Sequence, residues 1–189
     1  MKNDKLLIGI TGAFGSGKST AAEFFFSKGF KKVILSSFLE EELRKRGETQ
    51  ITRKLLQDAG NNLRKKFGAG ILAKKALEYI SKETEGKVVI DGIRNIAEIE
   101  EFRKYGNFIQ LGILADRRVR FERLRKIKRR ENLTWDLFEK LDSRDLGIGE
   151  NSEGLQVAFC ITLSDVFITN NKTVDDFKKS LSEFLKKRK

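Results

Sequence analysis

Histidine and proline are absent from this 189-residue chain, and cysteine, methionine and tryptophan occur once each. Without histidine there is no imidazole base, no histidine metal ligand and no Ser-His or Cys-His nucleophile pair. Phosphoryl transfer survives that loss, because it rests on positioning and on charge neutralisation by Mg²⁺, Lys and Arg. Without proline, no cis-Pro turn can shape a site. The single Cys160 excludes an internal disulfide and a cysteine-cluster zinc site; lying in the apolar stretch 157–163, it reads as a core residue. No run of 18 apolar residues is present, and Lys2, Asp4 and Lys5 around so short an apolar stretch make no signal peptide. The expectation is a cytoplasmic protein with no membrane contact.

What is plentiful is positive charge. Lys and Arg number 39 against 27 Asp and Glu, a formal net charge of +12. That balance suits a polyanionic partner, either nucleotide phosphates or a nucleic acid backbone. The basic residues concentrate at 117–130 and in the tail 185–189, the tail reading as a solvated, frayed helix end. The length suits one domain spanning 1–189 with a sizeable core.

The strongest chemical signal is Gly12-Ala13-Phe14-Gly15-Ser16-Gly17-Lys18-Ser19, a complete G-x-x-x-x-G-K-S phosphate loop. Glycines let the backbone bring its N–H groups against phosphate oxygens where a side chain would clash. Lys18 directs a point charge at the β- and γ-phosphates, and the Ser19 hydroxyl is a Mg²⁺ ligand. An apolar run at 6–10 precedes the loop as a buried strand. Residues 19–26, from Ser19 and Thr20 onward, open a helix whose positive end faces the anion.

Short β-type runs at 32–36, 87–91, 108–114 and 164–169 continue the pattern. They alternate with helical stretches at 39–46, 52–67, 71–80, 95–105, 117–130, 134–141 and 173–187. Strands apolar on both faces, each followed by helix, predict an α/β chain of the P-loop NTPase fold. Its expected sheet is five-stranded and parallel with helices on both faces. Two inserts stand out, at 36–70 and 126–150. Ligands gather at the carboxyl ends of such strands, where Gly12, Ser36, Asp91 and Ala115 fall.

Asp91 ends Val-Val-Ile-Asp in the manner of a Walker-B strand, whose carboxylate holds Mg²⁺ directly or through water. With Asp91-Gly92-Ile93-Arg94 the chain resembles the P-loop nucleoside and nucleotide kinases, adenylate kinase-like enzymes in which this arginine grips the acceptor's phosphate. The resemblance spans nearly the whole chain. It implies an acceptor site at 36–70, including Ser36, Glu40, Arg44 and Arg64. A lid at about 126–150 would be entered through Arg120–Leu124, Arg125, Arg129 and Arg130. The return arm Asp142-Ser143-Arg144-Asp145 would carry the catalytic arginine, Arg144, and Asn170-Asn171 would lie beside adenine. It is similar also to deoxynucleotide and dephospho-coenzyme A kinase-like proteins, to an archaeal adenylate-kinase-like group and to the kinase-like domain fused to some deoxycytidylate deaminases. The deaminase itself is excluded, for want of zinc ligands.

Two departures mark this chain. The turn at Gly92 is shorter than in adenylate kinases and lacks their proline. Glu40 stands where relatives often carry an arginine, with Arg44 one turn on. The expected activity is transfer of the γ-phosphate of ATP, with Mg²⁺, to a small nucleotide acceptor such as a (deoxy)nucleoside monophosphate. Dephospho-coenzyme A as acceptor and a non-catalytic nucleotide sensor are the alternatives. Lys18, Asp91, Arg129 and Arg144 are the expected catalytic residues, and residues 12–20 with Arg125 and Asn170 the expected ATP contacts. For the basic helix, a lid ranks ahead of a plain solvated face, and a nucleic-acid contact ranks last. A monomer or homodimer is expected.

Overall fold

A computed structural model describes residues 3–83, 86–127 and 132–188. Strands β1 (Asn3–Thr11), β2 (Lys31–Ile34), β3 (Val88–Asp91), β4 (Gly106–Leu114) and β5 (Val166–Thr169) form one sheet in the order β2-β3-β1-β4-β5. Every pairing is parallel. The apolar runs explain why. β1 sends Ile8 and Ile10 to one face and Leu7 to the other, and each meets its own core. A strand buried on both faces needs covering helices, which parallel crossovers supply.

On one face, α1 (Lys18–Ser27) and α9 (Val174–Lys186) pack Phe25, Phe177 and Leu181 against Ile8, Val89 and Leu111. On the other, α4 (Ile71–Glu83) and α5 (Ile96–Tyr105) bring Ala76, Ile80 and Phe102 against Leu7, Val88 and Ile90. Full burial of each large apolar side chain contributes about 1.5–3 kcal/mol, so the sheet faces are the main source of stability. Among the described residues no helix is long and apolar enough to cross a membrane.

Several elements depart from the sequence reading or add to it. Helix α2 (Leu35–Lys45) starts directly after β2, so Ser36 lies in its first turn rather than at a strand end. Leu35, Leu39 and Leu43 recur at helical spacing and are buried, and their packing extends the helix back to Leu35. Cys160 is buried as expected, but its segment forms a short helix, α8 (Val157–Thr162). Helix α7 (Trp135–Leu146) runs five residues past the expected end at 141, which places Asp142, Arg144 and Asp145 on a helix. The remaining helices, α3 (Arg53–Phe67) and α6 (Arg117–Ile127), start where the residue pattern puts them. Thr52 caps α3 by accepting from the backbone N–H of Leu55.

Candidate phosphate-binding site

The loop between β1 and α1 takes the shape that its sequence demands. Gly15 and Gly17 have φ of 80° and 105°, which L side chains rarely adopt. Neighbours crowd the loop as well, and at Gly12 a Cβ would lie 2.4 Å from the backbone oxygen of Ile113. A Cβ on Gly17 would lie 2.3 Å from Asn170 Nδ2, and one on Gly15 would lie 2.7 Å from Leu124 Cδ1. Asn170 closes the loop from behind, its Nδ2 donating to Ser16 O at 2.9 Å. Arg123 in turn donates to the backbone oxygen of Asn170 at 2.7 Å. Arg120 donates to Phe14 O at 2.8 Å and is held by Asp142 through both terminal nitrogens, at 2.5 and 3.0 Å.

Inside the loop, Lys18 Nζ donates to Gly12 O at 2.6 Å and Ala13 O at 3.0 Å. The ammonium is curled onto its own loop, as a cation held ready for an anion would be. Burial, with Arg94 and Arg53 nearby, pushes its pKa down to about 7, against the opposing pull of Asp145 and Asp91. Ser19, exposed at the start of α1, donates through Oγ to Asp91 Oδ2 at 3.0 Å. β1 and β3 are neighbours in register, with Ile10 opposite Asp91, and this sets the carboxylate beside the helix start.

That hydroxyl–carboxylate pair, at the mouth of a glycine cradle whose φ angles L side chains rarely adopt, fits a Mg²⁺ ion bound between protein and phosphate oxygens. Among the described residues no group of three or more His, Cys, Asp or Glu is placed to hold a metal ion. Phosphate and water oxygens would therefore complete the shell, as Mg²⁺ commonly prefers.

A second cationic group lies beside Lys18. Arg53, the first residue of α3, donates to Asp145 Oδ2 at 2.7 Å, and Arg94 donates to Asp145 Oδ1 at 2.6 Å. The Arg53 guanidinium also stacks over the Phe14 ring of the phosphate loop, 4.6 Å from its centroid. Gln57 Nε2 reaches Asp145 Oδ1 at 3.3 Å. Burial raises the pKa of Asp145, but Arg53, Arg94 and Lys18 outweigh it and hold the carboxyl well below the usual carboxylate range.

The other expected site residues are distributed as follows. Arg64, expected to face substrate, is instead buried, with Nε and a terminal nitrogen on Glu98 Oε1 at 3.1 and 2.9 Å. The other Glu98 oxygen accepts from the backbone N–H groups of Arg94 and Asn95, so Arg64 supports the Arg94 turn from below. Its place on α3 turns it inward, because a helix residue facing the core must neutralise its charge there. Arg144 bonds Asp58 and Glu150, each at 2.6 Å, and Asn61 donates to Glu150 on the same network. Arg125 pairs with Glu122 on the exposed face of α6. Arg44 is exposed on α2, and Ser36 and Glu40 are half-buried there. Thr20 follows Ser19 in the first turn of α1. Arg129 and Arg130 lie outside the described residues.

Arg53, Gln57, Glu98 and Asp145 were not singled out by sequence reasoning as site residues. The sequence did carry a signal for Arg53, since a Thr52 cap puts the next residue at the positive start of a helix. Nothing in the sequence paired it with Asp145.

The chain is 34% identical over 182 residues to a UPF0200 protein of Sulfurisphaera tokodaii, covering 96% of each chain. It is 32% identical over 183 residues to one of Methanocaldococcus jannaschii, covering 95% of this chain and 89% of that protein. No protein-family model matches it. Among solved structures, its fold is similar to a shikimate kinase from Bacteroides thetaiotaomicron, with a TM-score of 0.60 at 17% identity over 96% of this chain and 98% of that one. A gluconokinase from Sinorhizobium meliloti gives a TM-score of 0.59 at 15% identity over 96% and 92%. The chain thus shares its α/β fold with these two solved kinases.

Proposed function

The chain belongs to the UPF0200 family, and we propose that it transfers the γ-phosphate of ATP to a small phosphorylated acceptor, a nucleoside or deoxynucleoside monophosphate being our choice. The observation that carries the proposal is the juxtaposition of two phosphate-directed groups. The loop with Lys18 suits a donor triphosphate. Arg53 and Arg94, both close enough to depress Lys18, suit an acceptor's phosphate.

In this reading the backbone N–H groups of residues 13–19 and Lys18 orient the donor phosphates, and Asn170 and Arg123 brace the loop from the adenine side. Ser19 and Asp91 would hold Mg²⁺, which when bound neutralises phosphate charge. Arg94, on a turn fixed by Glu98, holds the acceptor so that its oxygen lies in line with the γ-phosphorus. Transfer forms the new O–P bond as the bond to the departing ADP breaks, and the cations offset the charge that moves. No strong base is required, which agrees with a chain that has no histidine. Arg144 and Arg129 are assigned to a lid over residues 126–150 that excludes water, and Arg125 to its nucleotide side.

ADP formation from ATP and Mg²⁺, measured with and without each candidate acceptor, tests the proposal. Turnover that appears with a monophosphate supports it. Tight nucleotide binding with no acceptor-dependent turnover would assign a sensor instead.

A further inference from the structure

Among the described residues, the arginine–carboxylate groups around the loop are not alike. Arg64 meets Glu98 as a single pair, its side chain 2% exposed. Asp142 is held by Arg120 at both oxygens, with Arg117 of the same helix more distant at 3.5 Å. Asp145 instead divides its fully buried oxygens between arginines from separate elements, Arg53 and Arg94, whose side chains keep 12% and 16% exposure. An anion bridging two guanidiniums that are not fully buried occupies a position whose charge also suits a phosphate. Lys18 lies close enough to this carboxylate to act on it together with Arg53 and Arg94.

We propose that Asp145 is a resident anion: it occupies the acceptor-phosphate position between Arg53 and Arg94 and yields it to an entering phosphomonoester, releasing α7. This rests on the reading of Arg94 as the acceptor-phosphate residue. It also narrows the substrate class. A phosphomonoester brings about −2 charge near neutral pH, so it gains more from two guanidiniums than Asp145 does, and bidentate phosphate contacts suit Arg. A carboxylate acceptor would merely exchange one carboxylate for another and gains little. The structure therefore favours phosphorylated acceptors over sugar acids or other carboxylates. Displacement would also reach the donor side. α7 carries Phe138, which stacks on Phe14 of the phosphate loop at 6.2 Å, and Phe14 lies beneath Arg53. Acceptor entry and loop geometry are thereby linked through one helix.

Calorimetric titration of inorganic phosphate into the nucleotide-free full chain tests this, comparing parent, Asp145→Asn, Arg94→Gln and the double variant. Asp145→Asn should bind phosphate about tenfold tighter, the change that about 1.4 kcal/mol of relieved competition gives. That gain should vanish in the double variant, which retains the phosphate loop and so accounts for binding there. Acetate should show no binding to the parent. Equal or weaker phosphate affinity in Asp145→Asn would overturn the proposal and make Asp145 a brace that orients the two arginines. Should that variant fail to fold, the parent itself reports. Trp135, the single tryptophan, is the first residue of α7 and packs edge-on against Phe121 at 5.0 Å. Saturating phosphate should shift its emission in the parent and not in Arg94→Gln, and unchanged emission in the parent counts against displacement. No nucleotide or turnover enters these measurements. Their failure leaves phosphotransfer to its own assay, and failure of that assay leaves the anion exchange standing.

Discussion

Ser19 and Asp91, 72 residues apart in the chain, meet through a hydrogen bond of 3.0 Å from the serine hydroxyl to the carboxylate. The contact exists because β3 lies beside β1 with Asp91 opposite Ile10, at the strand end from which the loop leads into α1. A hydroxyl and a carboxylate oxygen are thereby held together at the opening of the phosphate loop.

Asp91→Asn should weaken the Mg²⁺ dependence of ATP binding far more than binding of nucleotide without metal, because the carboxylate is assigned to the ion. Metal titrations of nucleotide binding in both proteins provide the comparison. Overlaying curves would reduce Asp91 to a hydrogen-bonded strand end.

Lys18→Ala should lower acceptor-dependent ADP formation by a factor of about 10² to 10³, the usual effect of losing one preorganised charge stabiliser. The fold should persist. Removing Lys18 deletes a buried cation already strained toward neutrality and two hydrogen bonds to loop carbonyls, not packing in the sheet core. Circular dichroism alongside the assay separates the two effects, and full activity in the folded variant would sink the assignment.

The Asp145 cluster carries a pH signature. Its folded pKa lies below the unfolded value of about 3.9, so the stabilisation is complete above that value and is lost as pH falls toward the folded pKa. Asp145→Asn should accordingly be less stable than the parent near neutrality, by about 3 kcal/mol, since both arginines lose a buried partner. The gap should narrow below about pH 4, as the parent's own carboxylate takes up a proton. Urea unfolding of both proteins across that range checks it; a gap that stays constant would mean that Asp145 charge does not stabilise the fold.

Arg64 and Glu98 offer a test of a buried pair that also positions Arg94. Glu98→Gln or Arg64→Met alone should cost about 3–5 kcal/mol, because each leaves a charge unmatched. The double variant should cost clearly less than the sum of the two. Additive losses would show that the pair does not act as a unit. Glu98→Gln should also raise the KM for acceptor more than it changes kcat, because Glu98 receives the backbone N–H groups that fix the Arg94 turn.

Much of this was legible in the chain alone. Residues 12–19 specify the loop, since glycine at 15 and 17 is demanded by positive φ. The alternation of short apolar runs with helical stretches specified a parallel sheet clothed on both faces, and Thr52, Asn95, Thr134 and Thr173 marked four helix starts where each now accepts a capping bond. Those signals are local, so a window of a few residues carries them.

The charged constellation was not local. Arg64 looked like a substrate residue and proved to be committed to Glu98, while Arg53 passed unnoticed and faces the site. Periodicity tells which side of a helix is buried, but not which distant carboxylate waits there. Asp145 joins Arg53 across 92 residues and Arg94 across 51. Only the packing of α7 and α3 around the β3 turn decides that meeting. The sequence by itself determined a phosphate loop at a strand end, because glycine sterics and hydrophobic period act over a few residues. The tertiary structure alone decided which carboxylate each arginine meets, because pairing of buried charge depends on where the whole fold brings its opposite sign.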